Sequence, residues 1–492
     1  MKAKYPKETS WKIVYSDFSG MERTAAEFLN REAGRLLIRQ EGVYTLHVLP
    51  LERETADTTI PQNAIVLGTW DESAIIRAHV PACEIPENGY VLKIADNPAD
   101  PDGSLVLITA HDQRSLLYGA AAFIDRYAPM AAPDVGGLHF TNRLFDHKLP
   151  CCTISSAPRA KTRGIFCWGH STNDYRTYIA SMARLGLNQL IVWNDHKPVN
   201  ADEITAYAHK FGIELIWGFA WGWIAGCSRI QSIDEAYLAE LKAQVLRKFE
   251  SEYAGQGDGI YFQSFTERPD DSIGGRPIAD TVTDFVNDTA GELLRRYPSL
   301  RIQFGLHATS VKNRLDAIAR IDKRVEIIWE DGGVFPFDPG AARIENPDAF
   351  EEKFQETLAF TEKILRLRGT DAPTGIVFKG FMKLDWERFV YQAGPYIMGE
   401  NAPEICEHDR RLRSDAWRAF TADWLQNGDY ARRFAERIYE ITKGNVNLCM
   451  AATFDGGVYF PQAACAEIFW DPTRTYGEIM KAAADKPMVT LN

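Results

Sequence analysis

Gln189-Leu190-Ile191-Val192-Trp193, the segment Ala201 to Phe211, and Glu214-Leu215-Ile216-Trp217-Gly218-Phe219 follow one another without a break. An apolar strand, a helix and a second apolar strand in that order make a βαβ unit. Strand bodies apolar on both faces belong to a parallel sheet covered by helices. Working outward, the same alternation continues. Upstream, Arg163 to Trp168 reads as a strand and Asp174 to Leu187 as a helix. Downstream come helix Asp234 to Tyr253, strand Gly259 to Phe265, helix Asp280 to Arg296, strand Arg301 to Leu306 and helix Lys312 to Ile321. Strand Val325 to Trp329, helix Ala349 to Leu367 and strand Gly375 to Phe381 follow. Seven strands with intervening helices predict a (β/α)8 TIM barrel over 160–402, with Tyr396 to Met398 as the eighth strand.

Residues 1–150 read as a smaller α/β domain. Trp11 to Tyr15, Tyr44 to Val48, Ala64 to Gly68, Tyr90 to Ile94 and Ser104 to Ile108 have strand character. Thr24 to Gln40 and Asp112 to Ile124 have helical spacing. Pro150 and Pro158 mark an irregular linker from Phe145 to Arg159, and 403–492 is expected to be a mainly helical C-terminal extension.

The chain has 492 residues and a formal net charge of −12, which argues against nucleic-acid and anionic-membrane partners. The longest apolar region, Glu214 to Cys227, is shorter than the ~18 residues of a spanning helix. The opening Met1 to Glu8 is basic, with no apolar stretch behind it. The eight cysteines form no CxxC pair or compact framework, so a cytoplasmic protein with reduced thiols is expected. Gly274-Gly275, Gly332-Gly333 and Gly456-Gly457 lack the spacing of phosphate or dinucleotide loops, and no cofactor is implied. Tail hydrophobes could support a homodimer.

Chemistry in such a barrel sits where the strands end. Those positions hold Trp168 and His170; Trp193, Asn194 and Asp195; Trp217, Trp221 and Trp223; Gln263 and Glu267; His307; Trp329, Glu330 and Asp331; and Lys379, Lys383, Asp385, Trp386 and Glu387. Indoles stack on the C–H faces of sugar rings, and carboxylates and amides bind hydroxyls, so this mixture suits a carbohydrate. Glu267 at the fourth mouth, with Glu330 and Asp331 at the sixth, could supply the two carboxyl groups that glycosidic cleavage needs. Trp470, in the tail, could reach the barrel mouth or seal the extension.

At these residues the chain resembles glycoside hydrolases with an N-terminal domain before a catalytic barrel, as in family 67 α-glucuronidases and family 20 β-hexosaminidases. The resemblance rests on Ile65-Val66-Leu67-Gly68, Gly89-Tyr90-Val91-Leu92 and Asp112 to Gly119. In the barrel it rests on Arg163-Gly164-Ile165, Met182 to Asn188 and Ala206 to Ile213. It departs from family 20 at Thr266-Glu267, where that family has Asp-Glu, and so implies no substrate-assisted cleavage. The α-glucuronidase pattern implies Glu267 as general acid and Glu330 or Asp331 as base, with inversion. A nucleophile after strand seven would instead fall on Asp385 or Glu387. Arg163, Lys379 and Lys383 could then meet a substrate carboxylate.

Two other classes compete. A metal-dependent barrel hydrolase or isomerase would draw on His170, Asp195, His196, Glu267 and His307, although no HxH pair occurs. A sugar-binding protein without catalysis would keep the aromatic platforms and lack a working carboxyl pair.

Overall fold

The structure, a computed structural model, describes residues 11–37, 49–127, 148–194, 196–223, 230–333, 347–369, 371–382, 394–451 and 457–490. The chain divides into two units. One comprises residues up to Pro158 with Lys210–Gly212 and Lys481–Val489, and the other is built on Arg159–His209 and Ile213–Met480.

The first unit holds a six-stranded sheet in the order Leu51–Arg53, Trp11–Tyr15, Asn63–Thr69, Ser104–Ala110, Tyr90–Asp96, Cys152–Ser156. The first four strands are parallel and the last two join antiparallel. The expected linker therefore contributes an edge strand. Its alternation of half-buried and exposed residues, with one cysteine, one threonine and two serines, lacks the apolar signal of an internal strand. The strand read at Tyr44 to Val48 lies outside the described residues. Helix Gly20–Leu37 packs beside helix Gln113–Tyr127.

The second unit is a closed parallel barrel. Its strands are β1 (Thr162–Trp168), β2 (Gln189–Trp193), β3 (Glu214–Gly218), β4 (Gly259–Gln263), β5 (Arg301–Leu306), β6 (Val325–Trp329), β7 (Thr374–Val377) and β8 (Asn447–Ala451). The eighth strand thus differs from the expected Tyr396 to Met398. β8 closes on β1 with Asn447 opposite Thr162 and Ala451 opposite Phe166. Around 396 the backbone bonds to the segment after β2 instead: Val199 N–H donates to Tyr396 O at 2.9 Å and Met398 N–H to Asn200 Oδ1 at 3.1 Å. The helices Pro403–Asn427 and Asp429–Thr442 consequently connect β7 to β8, and the barrel runs past residue 402. Only residues beyond Ala451, with helices Phe460–Trp470 and Tyr476–Ala484, follow the last strand. The expected helix at Lys312 to Ile321 shortens to Leu315–Ile318.

Local chemistry explains the connections. Asp174 caps helix Tyr175–Arg184 by accepting from Arg176 N–H at 3.0 Å and Thr177 N–H at 3.2 Å. The helix ends at Gly186, whose φ of +73° favours glycine. Asn188 then accepts from Arg163 N–H at 2.7 Å, fixing the entry to β2 against β1.

Side chains alternate inward and outward along each strand. The inward set forms three levels. At the N-terminal end stand Gln189, Glu214, Arg301, Gln303, Glu326 and Asn447, joined by hydrogen bonds. The middle is apolar, with Phe166, Ile191, Ile216, Tyr261, Ile328, Val377 and Cys449. The C-terminal level holds Trp168, Trp193, Gln263, His307, Glu330 and Lys379. Among the described residues no helix is long and apolar enough to cross a membrane.

In the first unit, Glu22 is fully buried in the first turn of helix Gly20–Leu37. Its Oε1 accepts from Ser16 N–H at 2.9 Å and Asp17 N–H at 2.7 Å. Burial pushes this carboxyl from the usual 4.5 up to about 7, with those hydrogen bonds pulling back and Glu72 adding repulsion. A carboxyl raised in the folded state contributes stability that is full below 4.5 and lost as pH rises through about 7. Thermal unfolding across that window should show a decline that Glu22→Gln flattens, because the amide keeps Oε1 as acceptor and carries no charge. An unaltered pH slope in the variant would remove Glu22 as its source.

Candidate active site

The barrel's C-terminal level converges on Glu330, the residue after β6. Tyr261 O–H and Gln263 Nε2–H, both from β4, donate to its Oε1. Lys379 Nζ, just after β7, donates to Oε2 at 2.8 Å, and His307 Nε2, just after β5, lies 3.1 Å from the same oxygen. Glu330 is fully buried, so all four donors come from the protein. Gly305 makes this possible: a Cβ there would collide with both the Tyr261 hydroxyl and the Glu330 carboxylate.

His307 extends the cluster. Its Nδ1 lies 3.3 Å from Asp331 Oδ1, and its Nε2 lies 3.9 Å from Glu267 Oε2. The backbone N–H of His307 donates to Thr266 Oγ1 at 3.2 Å, which ties the β4 and β5 exits together. Asp331 Oδ2 receives a long contact of 3.5 Å from Ala308 N–H. Glu267 sits in a short helical turn after β4, with a side chain 42% exposed, and accepts from Trp223 Nε1–H. Of the three carboxylates, Glu267 is well exposed, Asp331 keeps a small exposed surface and Glu330 has none.

The charges are mutually dependent. Burial works against ionising Glu330, but Lys379 and His307 outweigh it and hold its carboxyl well below the usual range. Burial likewise opposes the His307 imidazolium; Glu330 overcomes it, Lys379 pushes back, Asp331 adds support, and the result is a rise to about 10. Lys379 is raised despite its burial, chiefly by Glu330, and Asp331 is lowered despite its own, chiefly by His307. Burial and the Glu330 charge lift Tyr261 far above its ordinary value, keeping its hydroxyl a donor. Two anions and two cations therefore balance beneath Glu267.

The other expected site residues divide. Trp168 is half-buried against Phe166, with ring centroids 5.7 Å apart. Trp193 points inward but is buried beneath Trp223 and beside Tyr261, at 5.6 and 6.1 Å. Asn194 is buried, accepts from Tyr396 O–H and donates to Val192 O at 3.3 Å. His170 is half-buried in the turn after β1, where burial and Arg413 lower its pKa. Trp221 and Trp329 are corrections. Both are fully buried in the layer between strands and helices, Trp221 stacked on Phe262 at 3.8 Å and Trp329 against Phe360 at 5.4 Å, so neither offers a sugar platform. Trp217 is fully buried as well. Lys379 is committed to Glu330. Arg163 is buried at the other end of the barrel, donating to Gly186 O and Ala160 O under Trp470. Trp470 accordingly packs at that end, and not at the mouth. Asp195, Asp385 and Trp386, with Lys383 and Glu387, lie outside the described residues.

Tyr261 was not anticipated, although it stands two residues before Gln263 and so on the same face of β4. Trp223 proves to be the indole that meets Glu267. Among the described residues no group of three or more His, Cys, Asp or Glu side chains is arranged to hold a metal ion. Both nitrogens of His307 face carboxylates.

No protein-family model matches the sequence, and no curated protein matches it. Solved structures do. A family GH115 4-O-methyl-α-glucuronidase with specificity for decorated arabinogalactans is similar at 13% identity and a TM-score of 0.49, covering 97% of this chain and 58% of its own. A GH138 enzyme targeting pectin rhamnogalacturonan II gives 11% and 0.48, covering 95% and 51%. A family 89 glycoside hydrolase from Clostridium perfringens gives 9% and 0.42, covering 82% and 47%. The chain thus spans little more than half the length of the first two. The closed parallel eight-stranded barrel and the separate α/β sheet of this chain are themselves the architecture implied by the resemblance to glycoside hydrolases.

Two outcomes follow from the cluster. Lys379→Met leaves Glu330 buried without its cation and should cost about 3–5 kcal/mol in chemical denaturation, with Glu330→Gln in the same chain restoring part of the loss. A loss below about 1 kcal/mol would mean that solvent already screens this pair. His307, raised from 6.5 to about 10, contributes stability that is full below 6.5 and lost as pH rises through about 10. Its imidazole nitrogen resonances should remain those of the cation at pH 8; a transition near 6.5 would contradict this.

Proposed function

We propose that the chain is a glycoside hydrolase that cleaves its bond above Glu267, with Glu267 as general acid. The carrying observation is the exposed Glu267 carboxyl lying 3.9 Å from an imidazole that is held by two buried carboxylates at the barrel mouth. Half-buried Trp223 donates to Glu267, half-buried Trp168 packs against the same inner cluster of the barrel, and indoles together with a carboxyl and buried polar groups suit a sugar ring.

Of the carboxyls expected as partners, Glu330 and Asp331 lie within the described residues, and their surroundings differ. Glu330 holds four donors and has no exposed surface, which suits a fixed anion offsetting the positive charge of an oxocarbenium-like transition state. Asp331 has one ring nitrogen and one long amide contact, and is the better placed to take a proton from water. Glu267 and Asp331 face opposite nitrogens of one imidazole. That placement supports the wider carboxyl spacing of inversion, about 6.5–9.5 Å, over the roughly 5–5.5 Å of retention. Of the residues expected to meet a substrate carboxylate, Lys379 is spent on Glu330 and Arg163 on carbonyl oxygens at the other end of the barrel, so a uronate substrate draws no support from them.

The test is a screen of aryl glycosides and oligosaccharides, including α-glucuronides and N-acetylhexosaminides, with the product anomer followed by NMR. Glu267→Gln should lower turnover by about 10² to 10⁴ and leave sugar binding nearly intact. Full activity in that variant would remove Glu267 from the acid role. Binding of sugar without hydrolysis by the unaltered chain would place it among non-catalytic carbohydrate-binding proteins.

A further inference from the structure

We propose that the opposite, N-terminal end of the barrel carries a second binding site, for a neutral hydroxyl-rich molecule the size of one or two sugar rings. The inner level there is polar, whereas barrel interiors are ordinarily filled by branched aliphatic residues. It opens into a cavity of about 490 Å³, within the roughly 300–1,000 Å³ of small-molecule sites.

The lining is amphipathic in the way a pyranose requires. Leu294, Pro298, Leu300 and Pro373 form an apolar wall, and Glu214, Arg301 and Glu326 form a polar one. Acceptor capacity is left over at this end. The bonds Glu214 receives from Gln189 and Arg301 both go to Oε2, leaving Oε1 without a partner among the described residues. Behind Glu326, fully buried Gln303 donates through Nε2 to Glu326 at 2.7 Å and to Gln189 at 3.2 Å, while its Oε1 has no hydrogen bond. Gln303 does not itself line the cavity, so the acceptor open to a ligand hydroxyl is Glu214 Oε1.

Charge excludes the simpler occupants. Glu214 and Glu326 are offset by Arg301 and by Lys161 at the rim. Arg324 is held by Asp322 at 2.6 Å, and Arg368 is spent on the carbonyl oxygens of Asp322, Val325 and Pro373. An anion finds no uncommitted guanidinium, and an amine finds no surplus of negative charge. The apolar middle level separates this cavity from Glu267, so the two sites are distinct and the proposal does not depend on hydrolysis at the mouth.

Methyl NMR of the full chain, titrated with glucose, galactose or xylose, tests it. The methyl signals of Leu294, Leu300 and Val446 should shift while those of Ile191 and Ile328 stay in place. Glu214→Leu should weaken this binding at least about tenfold, as loss of a hydrogen bond to a charged acceptor does. Leu300→Trp, which fills the cavity, should abolish the shifts at Leu294. The proposal is overturned if no sugar moves these signals, if inorganic phosphate or ethanolamine moves them instead, or if the sugar response survives Glu214→Leu. Should Leu300→Trp fail to fold, the Glu214→Leu comparison decides alone.

Discussion

A carboxylate sealed inside a barrel is tolerable only if every lone pair is met, and Glu330 imposes that demand on its surroundings. Taking one such ion out of water costs several kcal/mol even after relaxation. The cost is offset by donors from three other strand ends: Tyr261 and Gln263 of β4, His307 beyond β5 and Lys379 beyond β7. The requirement then propagates. Gly305 must lack a side chain so that Tyr261 can reach the carboxylate. His307 must be charged, so Asp331 takes its other nitrogen. Lys379, buried in turn, depends on the same anion. Removing any one member strands the others, which is why the cluster specifies one arrangement of the mouth more than it adds to stability.

Much of the barrel is legible in the sequence because its strands are short, apolar and regularly separated by helices. The eighth strand is less so. Asn447-Leu448-Cys449-Met450-Ala451 contains no β-branched residue and follows helices of 25 and 14 residues, so local pattern gives little reason to pair it with β1. Its membership is decided by closure: β7 and β1 each leave an edge that only a further strand can satisfy. The aromatic and apolar residues Tyr396, Ile397 and Met398 look more strand-like, yet their backbone groups meet the segment after β2. Tertiary pairing overrides local propensity at both places.

The candidate site shows a different limit. Collecting every residue at a strand end gathers both faces of each strand, whereas the pleat allows only alternate residues to face the mouth. Adjacent Trp329 and Glu330 cannot both point inward; Glu330 does, and Trp329 fills the helix layer beside Phe360. The same parity separates Gln263, which points in, from Phe262, which stacks on Trp221 outside. Counting by two from Gln263 or His307 reaches Tyr261 and Gly305, neither of which carries a signal by residue type alone. Burial of individual carboxylates, by contrast, depends on loop paths that no periodicity encodes, and this is what separates exposed Glu267 from sealed Glu330.

The two ends of the barrel resolve the same problem in opposite ways. At the mouth, Glu330 and Asp331 are paired with Lys379 and His307, and the Glu267 carboxyl is left exposed above them. At the other end, amides and a shared arginine spread the charge of Glu214 and Glu326, and the unmet capacity lies on neutral or half-exposed acceptors. An apolar level containing Ile191, Ile216, Ile328 and Val377 stands between them. Water entering from either end would raise the local dielectric and weaken the attraction of Glu330 for Lys379 and His307. The middle level therefore does more than fill the barrel: by excluding water it maintains the low dielectric in which one buried anion can keep both an imidazole and an ammonium charged.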